Sequence, residues 1–352
     1  MRALAISLFL FSLFAIPSPQ TPASQTLHSG EDSSLRGLSA SRVSNQTTVW
    51  ATGSNGVILR SPDAGKSWTR LHIDNADTQD FRGVQSFGSN IAYVFSVGND
   101  NKSHIYKTFD AGKTWSTQYS DPRPAFFLDA LACRSEKNCL AISDSIDGKF
   151  PILHTEDGEH WTELPQASEP AALPTEGLFA ASNSSLAFCG PNKSDIFFAT
   201  GGPAARIFHS ADNGHSWTVA TTLILHGTAS AGIFSVACSG RTIVAVGGDY
   251  QNPSIPQTSI VSSEDFGVTW RIPKKSTEVY RSAVVAVPTK ISTIWLAAGP
   301  TGIDVSIDAG IHWSPFSHEN TNAAIATGPD QVLTAGPRGY IGQLTIRPDA
   351  LQ

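Results

Sequence analysis

The chain has a single methionine, the first residue, against 29 glycines, 21 prolines and 8 tryptophans in 352 residues. Long helices want the opposite balance, so the composition excludes a helical bundle and fits short strands joined by turns. Charge is thin as well: Asp, Glu, Lys and Arg make up only 15% of the chain, the net charge is −6, and no block of like charges occurs. A nucleic-acid surface needs a clustered basic face, so that partner is not expected. Also missing are a Cys-x-x-Cys pair, a Gly-x-Ser-x-Gly elbow, a phosphate loop and a dinucleotide fingerprint, and the ten histidines are scattered. No metal and no cofactor are expected on these grounds.

Only one apolar run is long, and it stands at the start. Arg2 precedes an uncharged stretch from Ala3 to Ile16, and Pro17 to Ala23 supply breakers and small residues. That run falls short of the roughly 20 residues of a membrane span, so residues 1–23 read as a signal peptide. An uncleaved signal anchor is the alternative. No cysteine follows the run to accept a lipid. The remainder, 24–352, is expected to be one domain, secreted or periplasmic, with a membrane near it only by proximity. Four cysteines suit that compartment. Cys133 and Cys139 flank a polar loop between two apolar runs, which suits a disulfide across a hairpin. Cys189 and Cys238 are a possible second pair, with nothing local to align them.

One turn recurs six times. It reads SPDAGKSW at Ser61–Trp68, TFDAGKTW at Thr108–Trp115 and, one residue shorter, TEDGEHW at Thr155–Trp161. SADNGHSW (Ser210–Trp217), SEDFGVTW (Ser263–Trp270) and SIDAGIHW (Ser306–Trp313) complete the set. The aspartates Asp63, Asp110, Asp157, Asp212, Asp265 and Asp308 stand 47, 47, 55, 53 and 43 residues apart. Asp can accept N–H bonds from a tight turn, and Gly supplies its left-handed position. The indoles Trp68, Trp115, Trp161, Trp217, Trp270 and Trp313 can anchor the returning strand against a neighbouring sheet. The motif is the Asp-box, and its role here is structural.

Between boxes lie enough strand-like runs for four short strands per unit, the size of a propeller blade. Six units run from about residue 36 to 316. Ala323–Thr327, Gln331–Ala335 and Tyr340–Ile346 offer three more strands without a box, and residues 24–30 can supply the fourth. The expected fold is therefore all-β: a seven-bladed propeller of four-stranded antiparallel blades, closed by joining both chain ends in one blade.

The stretch from Val49 to Leu71, VWATGSNGVILRSPDAGKSWTRL, resembles the photosystem II stability/assembly factor family and its non-photosynthetic bacterial relatives. Gly53, Gly56, Ile58, Arg60, Asp63, Gly65 and Trp68 match that family's repeat. The resemblance implies a seven-bladed propeller outside the cytosol that binds a protein or peptide without turnover; a monomer is expected. Sialidases also carry Asp-boxes, so a secreted exo-glycosidase and a carbohydrate-binding propeller are the alternatives.

Aligning the inner strands by their first apolar residue places Arg36, Arg82, Asp129, Glu176, Phe234, Arg281 and Asn322 one per blade, two positions earlier. Inner strands line the channel, so these side chains are expected at one mouth. Arg281, Asn322, Arg36 and Arg82 would lie on adjacent blades and face Asp129 and Glu176. Converging guanidiniums suit a carboxylate or an acidic peptide; pairing with the facing acids is the alternative. A sialidase would use such an arginine triad with a Tyr–Glu pair, for which Tyr280 and Glu176 are candidates. The Arg-Ile-Pro motif expected ahead of a sialidase's first box is absent there; Arg271-Ile-Pro273 follows the fifth.

Overall fold

The computed structural model describes residues 23–346, so nearly all of the expected signal peptide lies outside the described residues. The strands form seven four-stranded antiparallel sheets. In blade 1 the strands run Leu35–Val43, Gln46–Gly53, Ile58–Ser61 and Thr69–Leu71, from channel to rim. Blade 2 repeats this with Asp80–Phe87, Ile91–Val97, His104–Thr108 and Ser116–Ser120. Blade 3 starts at Leu128–Ser135 and blade 6 at Ala283–Pro288, each with its sheet in the same order. The first strands of successive blades touch one another around the axis.

Each blade is too small to bury its own faces, so the core is divided among the joints between blades. Seven apolar clusters fill seven joints. Leu35, Val49 and Leu59 of blade 1 meet Leu333 and Ile341 of blade 7, and Val332, Leu344 and Ile346 meet Leu296 and Val305 of blade 6. The box indoles sit in these joints against the preceding blade. Trp115 meets Trp50 edge-on at 6.1 Å, Trp161 meets Tyr93 at 6.0 Å, and Trp313 is buried with Val244 and Trp295. Burial of that much aromatic surface is the main force holding neighbours together.

The ring closes as the sequence implies. Ala23–His28 pairs antiparallel with Tyr340–Thr345, which pairs with Gln331–Ala335 and then Ala323–Gly328. Leu27 packs into the joint with blade 1, and the Ser29 hydroxyl donates to the Gly339 carbonyl at 2.9 Å. Both chain ends thus share blade 7, and its outer edge is covered.

Two blades depart from the regular unit. In blade 4 the first strand is only Leu186–Cys189, and the channel beside it is lined by the irregular segment 178–181. In blade 5 the first strand, Thr228–Ser239, is paired on its inner side by Gly201–Gly202, and the fourth strand shrinks to one bridge between Ser262 and Arg271. Pro273 lacks the N–H needed to extend that bridge.

Both disulfides form. Cys133 and Cys139 are direct partners across the first hairpin of blade 3, with Cα atoms 4.0 Å apart. Cys189 and Cys238 join the first strands of blades 4 and 5.

Candidate functional site

The strand order fixes which groups can share a site. First strands run away from the end of the channel where they begin, second strands return, third strands leave again. The Asp-box turns, between third and fourth strands, therefore lie at the far end and on the rim. Their chemistry is internal. Asp63 Oδ1 accepts the Ser61 hydroxyl at 2.7 Å and the Ser67 N–H at 2.9 Å, while Oδ2 accepts the Ser67 hydroxyl at 2.6 Å. Ser61 Oγ in turn accepts the Gly65 N–H at 2.7 Å. Gly65 has φ 91°, and Ala64 before it is also left-handed at 62°. Asp110, Asp212 and Asp265 repeat the arrangement. In the short box Asp157 accepts the N–H groups of Glu159 and His160 and the His160 ring, and at Asp308 the His312 ring takes the hydroxyl's place. Every box carboxylate is committed to its own turn.

The opposite end, where the first strands begin, holds a cavity of about 480 Å³ on the axis. Arg36, Arg82, Asp129 and Phe234 all line it, and each is the extra residue of a β-bulge. Leu35 pairs with Gly53 and Gly37 with Thr52, leaving Arg36 unpaired; Arg82, between Phe81 and Gly83, is skipped in the same way. A bulge turns one side chain out of the pleat's alternation and aims it elsewhere, here at the axis. The small residue that follows has its own cause. A Cβ on Gly37 would lie 2.8 Å from the Gly83 Cα, so neighbouring first strands approach too closely for a side chain.

Arg36 and Arg82 differ in their commitments. Arg82 donates from Nε to Asp80 at 2.8 Å and from Nη1 to the Ala180 carbonyl at 2.7 Å. Arg36 makes no side-chain hydrogen bond or ion pair among the described residues. Burial, then the like charge of Arg82, lowers the affinity of its guanidinium for a proton. Asn322 also lines the cavity, and its amide donates to Ser34 Oγ at 3.1 Å and the Leu35 carbonyl at 3.0 Å across the closing seam.

Two residues expected at this mouth are elsewhere. Arg281 turns away into blade 6, where Nε and Nη2 bond Asp304 Oδ2 at 2.8 and 2.6 Å and Nη1 bonds Thr301. Blade 6 has no bulge there, so ordinary alternation presents Tyr280 and Ser282 to the cavity instead. Glu176 is buried in an ion pair with Arg206 and also accepts from Thr200 Oγ1 at 2.6 Å. Leu178, two residues on from Glu176, belongs to the irregular segment and not to the first strand of blade 4, so Glu176 does not occupy the inner-strand position. The Arg–Tyr–Glu set that sialidase chemistry requires is therefore not assembled, and Arg271 on the rim pairs with Glu264 at 2.7 Å.

The cavity also contains Phe179 and Asp144, which the sequence did not single out. Phe179 stacks on Phe234 with centroids 3.7 Å apart, and Tyr280 meets Phe234 edge-on at 4.9 Å. Burial pushes the Tyr280 phenol well up, so it stays neutral. Asp144 lies beside Asp129; burial raises Asp144 to about 6, and burial, then the neighbouring Asp144 charge, pushes Asp129 well above the usual carboxyl range. Around the mouth, Leu223 and Leu225 from the loop entering blade 5, and Tyr250 and Ile255 from its second connection, are exposed. The loops are tied by the Leu225 N–H to the Thr258 carbonyl at 2.9 Å.

Known proteins bear on this geometry. Residues 20–172 match the family model described as photosynthesis system II assembly factor YCF48. A stretch of 104 residues is 29% identical to photosystem II assembly protein Ycf48 of Synechococcus sp. (strain JA-2-3B'a(2-13)), covering 30% of this chain and 29% of that protein. Another of 72 residues is 29% identical to photosystem II assembly lipoprotein Ycf48 of Synechococcus sp. (strain CC9902), covering 20% of each. The matches thus span less than a third of these relatives' own lengths. Among solved structures, YCF48 bound to D1 peptide superposes with a TM-score of 0.64 at 14% identity, over 95% of this chain and all of that one. YCF48 from Cyanidioschyzon merolae gives 0.60 at 15% identity, over 92% and 98%. A chain of the mitotic checkpoint complex gives 0.61 at 13% identity, over 98% and 99%, so at this level likeness speaks for the propeller and not for a partner. Repeat and blade agree on an Asp-box β-propeller, and over residues 20–172 the chain is similar to the photosystem II assembly factor family.

Proposed function

We propose that this protein is an extracytoplasmic, non-enzymatic binding protein whose channel mouth receives a carboxylate-bearing segment of a partner protein. Arg36 carries the reading: a guanidinium aimed by a bulge into an axial cavity, with no anion of its own among the described residues. A fork of N–H donors in a partly dewatered cavity suits a carboxylate, and the adjacent charge of Arg82 adds to the attraction. The exposed Leu223, Leu225, Tyr250 and Ile255 offer apolar contact to the residues preceding that carboxylate. A peptide complex of a protein with the same fold supports a peptide-sized ligand here. Two disulfides and an apolar leading segment support the compartment.

The test uses immobilised pentapeptides with free or amidated C-termini and the full mature protein. Free termini are expected to bind, and amidation to weaken binding about tenfold or more. Arg36→Ala should abolish that discrimination without lowering Tm, because its side chain bonds nothing among the described residues, whereas Arg82→Ala would also remove the Asp80 and Ala180 bonds. Equal capture of both peptide forms by the unaltered protein would sink the reading.

A further inference from the structure

Asp129 presents a problem of its own. Its side chain is 1% exposed, lines the axial cavity, and leaves Oδ2 with no hydrogen-bond partner among the described residues. A buried polar atom without a partner costs free energy and calls for an explanation. Asp144 lines the same cavity; its Oδ1 accepts the Leu178 N–H at 2.8 Å, and Oδ2 takes no bond among the described residues. The cation acting on Asp129 is Arg82, which is already committed to Asp80 and to the Ala180 carbonyl. The two carboxyls therefore share a wall with no counter-ion of their own.

We propose that the Asp129–Asp144 pair is a subsite for a primary ammonium group, so that the cavity takes a ligand bearing an amine as well as a carboxylate. The carboxylate half of this statement rests on the reading of Arg36 above; the amine half does not. An ammonium brings one positive charge and three N–H donors that can be shared between two carboxyls. A guanidinium fork prefers both oxygens of one carboxylate, and Asp144 has one already occupied. A divalent cation wants six or more oxygens, and no third His, Cys, Asp or Glu joins the pair among the described residues. Arg36 stands two blades round the ring, and the stacked rings of Phe179 and Phe234 border the space with apolar surface for a short methylene spacer. Such a ligand is either a free ω-amino acid or a lysine-bearing chain end of a partner.

Calorimetric titration with 6-aminohexanoate, hexanoate and hexylamine tests this. The unaltered protein is expected to bind 6-aminohexanoate about tenfold more tightly than hexanoate, the size of one charge-assisted hydrogen-bonded pair. Asp129→Asn should bring that ratio to about one, and Asp144→Asn provides the same measurement should the first variant fold poorly. Equal affinity for the two acids, or a ratio that survives both substitutions, overturns the proposal. Hexanoate binding without any amine preference removes the ammonium subsite and leaves the Arg36 reading intact. Hexylamine binding that Asp129→Asn abolishes, with no response to hexanoate, supports the subsite and removes the Arg36 reading. Pentapeptides ending in Lys or in norleucine separate the sources: a Lys preference assigns the site to a partner's chain end, and its absence beside a 6-aminohexanoate preference assigns it to a free small molecule.

Discussion

Asp63, Asp110, Asp212 and Asp265 are held at about 2 by hydrogen bonds from the Ser or Thr four residues on, through both its hydroxyl and its N–H. A depressed carboxyl contributes stability that is present above its unfolded value of 3.8 and is lost as pH falls through about 2. Asp144, raised to about 6 by burial, acts with the opposite sign: its contribution is present below 3.8 and is lost as pH rises through about 6. Tm should therefore fall as pH rises from 4 to 6 through Asp144, with the raised carboxyls of Asp129 and Glu169 adding to that slope, and fall again below pH 4 through the boxes. Asp144→Asn is expected to reduce the upper slope and leave the acid limb; an unchanged upper slope would refute the assignment. The box residues were legible because a turn is a local device, with its donors and acceptor inside eight residues. The cavity residues were legible only in part. Arg36-Gly37 and Arg82-Gly83 form a repeated dipeptide, a trace of the bulge and of the crowding after it. Nothing local distinguishes Arg281, which obeys plain alternation, and Asp144 lies just past the strand Asn138–Ser143, in a connection that its own sequence does not mark as buried.

At the scale of strands, the box spacing set four-stranded units, and the structure follows it wherever a unit is 47 residues long or shorter. The longer fourth and fifth units are where regularity breaks, because their extra residues enter the irregular channel segment of blade 4 and the long mouth loops of blade 5. These blades also carry the disulfide Cys189–Cys238, which spans 49 residues, whereas Cys133–Cys139 spans 6 within one hairpin. Cross-linking limits the unfolded chain more for a longer loop. Replacing Cys189 and Cys238 together by Ser should cost about 4 kcal/mol, and Cys133 with Cys139 about 2 kcal/mol. Denaturant titration of both double variants checks this. Equal losses would show that local strand contacts, not loop closure, set the contribution of each bridge.

The whole molecule is a ring of joints, and a ring is only as stable as its closing blade. Blade 7 lacks a box and its indole, and its fourth strand comes from the other end of the chain. The seam holds through the register of Ala23–His28 with Tyr340–Thr345, through Leu27 in the joint with blade 1, and through the Asn322 amide on Ser34 and Leu35. Deleting residues 24–28 would expose the edge of Tyr340–Thr345 and leave its N–H and C=O groups open to a second chain. Unfolding should then begin at blade 7, lowering Tm by more than Leu27→Ala alone, and hydrogen exchange should rise first in Gln331–Ala335 and Tyr340–Thr345. Arg36 and Asn322 flank this seam, so the loss should reach the channel mouth: binding of a carboxylate peptide should weaken although no mouth residue has been altered. Retention of full Tm and of binding after the deletion would mean that six blades and a three-stranded seventh suffice, and that the strand from the chain's beginning adds nothing to the site.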